Sequence, residues 1–96
     1  MPIRQVITFR VQHGEADAFV AGFAPIIAKV RGEPGCEQYE LLRSLEDPDR
    51  LVMLERWASL EALEGALKAH YKGPDDPSVA FFKLVDGPPV RERYEI

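Results

Sequence analysis

Ninety-six residues hold one domain, 1–96, and a chain this short buries only about 60–65% of its unfolded surface, so a second subunit is a natural source of extra apolar cover. The net charge of -4, with basic residues scattered along the chain, excludes the basic stripe that a nucleic-acid surface needs. Cys36 is the only cysteine, which excludes an internal disulfide or a cysteine-based metal site, and no apolar run is long enough to span a bilayer, so a soluble cytoplasmic domain is expected.

Ile3 to Gln12 alternates as a strand, with Ile3, Ile7, Phe9 and Val11 on one face and Arg4, Val6, Thr8 and Arg10 on the other. Glu15 to Arg31 carries an apolar stripe at helical spacing (Ala16, Phe19, Val20, Phe23, Ile26, Ile27, Val30), interrupted by Pro25, which predicts either a bent helix or two shorter ones. Glu33-Pro34-Gly35 is a turn, and Cys36 to Leu45 and Arg50 to Ala58 are strands joined by a polar hairpin loop. Ser59 is placed as the N-cap of a second helix whose inward stripe is Leu60, Leu63, Leu67, His70 and Tyr71.

Gly73-Pro74 breaks that helix, and Asp76-Pro77 starts a short one over Ser78 to Val85. Asp86-Gly87-Pro88-Pro89 is expected to be a turn before a last strand, Val90 to Ile96. The order β-α-β-β-α-β specifies an α+β fold, the ferredoxin-like antiparallel sheet with its helices on one face. Val52 and Leu54 alternate with Met53, Glu55 and Trp57, so the third strand carries large apolar groups on both faces. Helices cover only one of them, and a homodimer would cover the other.

Glu55 and Trp57 point the same way on their strand, and His70 lies on the stripe of the helix that follows. These three are the candidate catalytic residues, with Tyr39, Phe23 and Tyr71 as candidate substrate-binding walls. A carboxylate beside a histidine orients its ring and raises its pKa. Each residue also has a plainer reading: His70 as a satisfied structural residue, Trp57 as core packing, and Glu55 in a salt bridge to Arg4, Arg10 or Arg91. Cys36 reads as a small buried apolar residue, and with His13 and His70 as the only histidines no metal is expected. No glycine-rich phosphate loop follows any strand, so no nucleotide or flavin cofactor is expected.

The run E-P-G-C-E-Q-Y-E-L from Glu33, the run L-V-M-L-E-R-W-A-S-L-E-A-L from Leu51 and the following His70 resemble the antibiotic biosynthesis monooxygenase family, with a looser likeness from Ile3 to Tyr94. That resemblance implies a dimeric α+β barrel. It also implies a cofactor-independent monooxygenase acting on a quinol or polyphenolic small molecule, with His70 as base, Glu55 orienting it, and Trp57 and Tyr39 flanking the ring. The polyketide-oxidising branch carries an asparagine four residues before the tryptophan and a tyrosine six after it, where this chain has Met53 and Leu63. Haem-degrading relatives use an asparagine on the first strand, and this chain contains none. Two alternatives stand beside the oxygenase: an isomerase of a small carbonyl compound, marked by arginines (Arg4, Arg10, Arg56, Arg91 or Arg93) around an anionic substrate, and a non-catalytic dimeric binding domain.

Overall fold

The computed structural model describes residues 1–73 and 75–96. Its strands are β1 (Ile3–Val11), β2 (Cys36–Arg43), β3 (Arg50–Trp57) and β4 (Val85–Glu95), and its helices are α1 (Ala16–Val30), α2 (Leu60–His70) and a 3₁₀ helix over Pro77–Leu84. The four strands form one antiparallel sheet in the order β2-β3-β1-β4, which is the expected ferredoxin-like arrangement. Among the described residues no helix is long and apolar enough to cross a membrane.

Pro25 lies inside a single α1 rather than between two shorter helices. It sits on the exposed side, so the hydrogen bond it removes faces solvent. Phe19 and Phe23 before it and Val30 after it keep the axis seated on the sheet. Ser59 caps α2 as expected, its hydroxyl accepting from the Ala62 N–H at 3.1 Å, and Asp76 caps the 3₁₀ helix by accepting from the Ser78 N–H at 3.0 Å. The break expected at Gly73-Pro74 includes Pro74, which lies outside the described residues.

Two expectations are corrected. The inward residues of α2 are Leu63 and Ala66, whereas Leu60, Leu67 and Tyr71 are 41%, 53% and 46% exposed. Leu67, His70 and Tyr71 line a cavity rather than packing onto the sheet. The turn expected over Asp86 to Pro89 is absorbed into β4, where the pairing with β1 shifts between Thr8 and Arg10. β4 is an edge strand, and there Pro88 and Pro89 remove no ladder hydrogen bond the sheet requires.

The core has two parts. Phe9, Phe19, Phe23, Leu51 and Met53 pack under α1 and the 3₁₀ helix, and Val30, Trp57, Leu63 and Ala66 pack under α2. Phe19, fully buried, contributes roughly 1.5–3 kcal/mol by leaving water. Glycine makes two close approaches possible. A Cβ at Gly22 would lie 2.6 Å from Phe81, so the 3₁₀ helix rests directly on α1. A Cβ at Gly35, which has φ +83°, would lie 2.6 Å from Ala62, so the turn after α1 is drawn against the start of α2. The other sheet face has no helix over it. There Val6, Val52 and Leu54 are half-buried only by their neighbours, and Leu42, Val90 and Tyr94 are exposed.

Candidate functional site

A cavity of about 280 Å³ lies between the sheet and the helices, where the two parts of the core meet. Its wall is largely apolar. Glu55, Trp57, His70, Tyr39, Phe23 and Tyr71, the six residues singled out from the sequence, all line it. Phe23 stands edge-on to Tyr39 at 6.3 Å, and Tyr39 edge-on to Trp57 at 6.2 Å, so three aromatic rings form a continuous side of the cavity.

The polar groups on the sheet side come from one transverse row. Tyr39 pairs with Glu55, Glu55 with Gln5, and Gln5 with Arg93, so one residue from each strand points toward the helices at the same level. Glu55 is only 4% exposed. One of its oxygens accepts from Gln5 Nε2 at 3.0 Å and the other from Trp57 Nε1 at 2.9 Å. Arg93 Nε in turn donates to Gln5 Oε1 at 2.6 Å. The Gln5 amide thus joins a guanidinium to a carboxylate, taking a hydrogen bond from the cation and giving one to the anion. Burial pushes the Glu55 carboxyl above its ordinary value, and the two hydrogen bonds with the charges of Arg93 and Arg91 pull it part of the way back. Burial, then the nearby Glu55 charge, push the Tyr39 phenol up.

His70 closes the helix side. The sequence led us to expect Glu55 to orient it, and the geometry differs. His70 Nε2 lies 2.6 Å from Glu33 Oε1, and Glu55 spends both oxygens on Gln5 and Trp57. Gly35 seats the turn against the start of α2, and the Glu33 side chain reaches from it to the histidine at the other end of the helix. His70 and Glu33 are 21% and 26% exposed in their side chains, so the pair sits at the edge of the cavity rather than in its floor. With Nε2–H donating to the Glu33 carboxylate, the lone pair is left on Nδ1.

Sequence reasoning missed Gln5 and Glu33. Gln5 had a readable signal, since it is the single polar residue on the inward register of β1 between Ile3 and Ile7. Glu33 had none, because nothing local sets it apart from the chain's other glutamates and its partner lies 37 residues away. Of the five arginines considered for an anionic substrate, Arg91 and Arg93 line the cavity. Arg4 and Arg56, paired with each other across β1 and β3, and Arg10 belong to the bare face. Burial raises the Cys36 thiol above its ordinary value, in keeping with an inert thiol. Among the described residues no three His, Cys, Asp or Glu side chains are grouped as a metal site would require.

The family model described as antibiotic biosynthesis monooxygenase matches residues 2–73. A Caulobacter crescentus protein, itself only provisionally named as an antibiotic biosynthesis monooxygenase, is 32% identical and superposes with a TM-score of 0.83, the match covering 99% of this chain and 89% of that one. A conserved protein from Methanosarcina mazei (22% identity, TM-score 0.84, covering 98% and 91%) and a Nitrosomonas europaea protein provisionally named in the same way (18%, 0.81, 97% and 88%) share the fold. No curated protein is similar enough in sequence to match.

Proposed function

Because the chain belongs to the antibiotic biosynthesis monooxygenase family, we propose that it is a cofactor-independent monooxygenase that oxidises a quinol or hydroxylated polycyclic aromatic with dioxygen. The observation that carries this reading is the apolar cavity of about 280 Å³ with an imidazole and a carboxyl on its wall. Ligand pockets run from about 300 to 1,000 Å³, so a substrate of a few fused rings suits this one. An electron-rich phenol needs little from a protein to react with dioxygen. It must lose its proton, lie in a dry place and be held still.

His70 Nδ1 is assigned as the base that takes the phenolic proton, and Glu33 steadies the imidazolium. The phenolate gives an electron to dioxygen, and the two radicals join at a ring carbon that bears hydrogen, ortho or para to the phenolate oxygen, to form a C–O bond. Loss of the proton from that carbon and heterolysis of the O–O bond then give the quinone, with the departing oxygen leaving as water once it takes up its proton. Overall, phenol plus O2 gives quinone plus water: the ring loses four electrons and dioxygen gains four. Tyr39 and Trp57 flank the ring, and Phe23 and Tyr71 complete the apolar wall. Glu55, held by Gln5 and Trp57, places its carboxyl on the same wall.

The test is oxygen uptake over a panel of hydroquinones and hydroxynaphthalenes. One O2 should be consumed per substrate, and His70→Asn should lower turnover about 10²–10⁴-fold without changing the melt. No uptake by the wild type, or an unchanged His70→Asn, refutes the reading. A second reading has its own observation, Arg91 and Arg93 on the cavity wall. There the same base moves a proton alpha to the carbonyl of a small anionic compound, with no oxygen consumed. Deuterium wash-in at the alpha carbon under nitrogen identifies it.

The assembly is proposed to be a homodimer joined through the bare sheet face. Helices cover one face only, and Val6, Val52, Leu54, Leu42, Val90 and Tyr94 make the other an apolar surface continuous across all four strands. Sedimentation giving a stable monomer at micromolar concentration sinks that assignment.

A further inference from the structure

We infer that the substrate carries an anionic substituent, a carboxylate for choice, and that Arg91 is its anchor at the mouth of the cavity. The inference rests on the reading of the cavity as the substrate site. It does not depend on whether the chemistry there is oxidation or proton transfer.

Arg4 reaches Gln38, Arg10 reaches Asp47, Arg43 reaches Asp17 and Arg56 reaches Glu37. Arg93 spends its Nε on Gln5. Arg91 lines the cavity, yet among the described residues its guanidinium makes no hydrogen bond or ion pair. A guanidinium has five donors in a rigid planar fork, so this mouth holds most of two forks without protein acceptors.

The carboxylate within reach of their charges is hydrogen-bonded elsewhere. Glu55 is the carboxylate on the wall, and both its oxygens already accept from Gln5 and Trp57. Glu33 is engaged by His70. The mouth is therefore cationic in a chain whose net charge is -4, and the rest of the wall is aromatic and aliphatic. Topology places the charge at one end. Arg91 lies level with Ile7 on the edge strand β4, on the same cavity-facing register as Arg93, whereas His70 stands on α2. A ligand spanning this space has an apolar body against Phe23, Tyr39 and Trp57, a reacting end near His70 and a charged end at β4. Carboxylate matches the fork with two parallel hydrogen bonds, which an ammonium cannot replace.

The experiment compares 2-naphthoate with its uncharged isostere 2-naphthamide, neither of which reacts with dioxygen. Binding is read from the fluorescence of Trp57, the chain's only tryptophan, which lies on the cavity wall. Wild type should bind naphthoate about 10-fold or more tightly than naphthamide. Arg91→Gln should erase that preference while leaving naphthamide affinity and the far-UV spectrum unchanged. Arg91→Lys should retain part of it, since it keeps the charge and loses the fork. Equal affinities in wild type, a preference that survives Arg91→Gln, or no binding of either compound overturns the inference. Oxygen uptake with neutral and carboxylated hydroxynaphthalenes separates the two proposals. Uptake with the neutral compound alone sustains the oxygenase and removes the anchor. A naphthoate preference without uptake keeps the anchor and removes the oxygenase.

Discussion

The two faces of the sheet are built from the same four strands and differ in what polar groups do there. On the helix-covered face a polar residue is tied into a chain: Arg93 to Gln5, Gln5 to Glu55, Trp57 to Glu55. On the bare face a similar chain, Arg4 to Gln38 and Gln38 to Glu40, and pairs such as Arg56 with Glu37 lie where water reaches them, so each is worth little. Between those pairs runs an apolar surface with no cover from its own chain. The covered face holds the proposed site, and the bare face is the proposed contact between copies. Burial makes the difference, because an unmet hydrogen bond is costly only where water cannot meet it.

The sharpest way to break the comparison is to place the same charge on neighbouring residues of β3. Met53 is 2% exposed, and Met53→Asp should cost about 3–5 kcal/mol or more by stranding a carboxylate among Phe9, Phe19 and Leu51. A chemical-denaturation midpoint reads this directly. Leu54→Asp points the other way. It should leave the helical core folded by circular dichroism but shift sedimentation from dimer to monomer. If both variants unfold alike, the two faces are not independent, and if Leu54→Asp leaves sedimentation unchanged, the bare face is not the interface.

A smaller change tests the polar chain on the covered face. Trp57→Phe keeps the ring and removes the Nε1 donor, leaving one Glu55 oxygen without its partner. The expected loss is about 1–3 kcal/mol in urea melts. A loss near zero shows that the hydrogen bond contributes nothing net.

Glu55 itself makes a pH prediction. Its folded-state value is raised above the ordinary 4.5, so the folded chain holds that proton more tightly than the unfolded chain does. Below about pH 4.5 both states are protonated and no difference arises. As pH rises past that point the unfolded state ionises first, and Glu55's contribution to stability falls until its folded value is passed. Glu55→Gln should remove that fall, which urea midpoints taken from about pH 4 to 8 will register. An identical slope in both proteins rejects the assignment.

The far end of the sheet carries the opposite sign and the smallest effect. Asp49 accepts from the Gly14 N–H at 3.1 Å and lies 2.9 Å from His13 Nδ1. The His13 and Gly14 hydrogen bonds hold its carboxyl below the ordinary 3.8, so its stabilisation is present above that value and is lost as pH falls through the lower, folded one. The His13 pKa is raised above 6.5 by the same bond, so its share is full below 6.5 and fades as pH rises through the folded value. Asp49→Asn should therefore weaken the fold at neutral pH yet match wild type in strong acid, and a thermal melt at the two extremes checks it.

Local pattern was enough for the elements and for the covered face. Alternation in Ile3 to Val11 and in Arg50 to Trp57, the Ser59 cap and the stripe through Phe19 and Phe23 are all set by neighbours within a few residues. Periodicity reads such features without knowing the fold. It also brought Glu55, Trp57 and His70 to one space, because strand and helix faces that pack together share what lies between them. Partnership was beyond its reach. Gln5 and Glu55 are 50 residues apart, Glu33 and His70 37, and Gln5 and Arg93 88. Which carboxylate meets which donor depends on strand register, on the missing Cβ of Gly35 and on which face α2 turns to the sheet. The same choice of face exposed Leu67 and Tyr71, and the edge position of β4 let Pro88 and Pro89 run inside a strand that their sequence would have ended. A hydrogen bond is decided over a few tenths of an ångström, and only the packed tertiary structure holds distances to that tolerance.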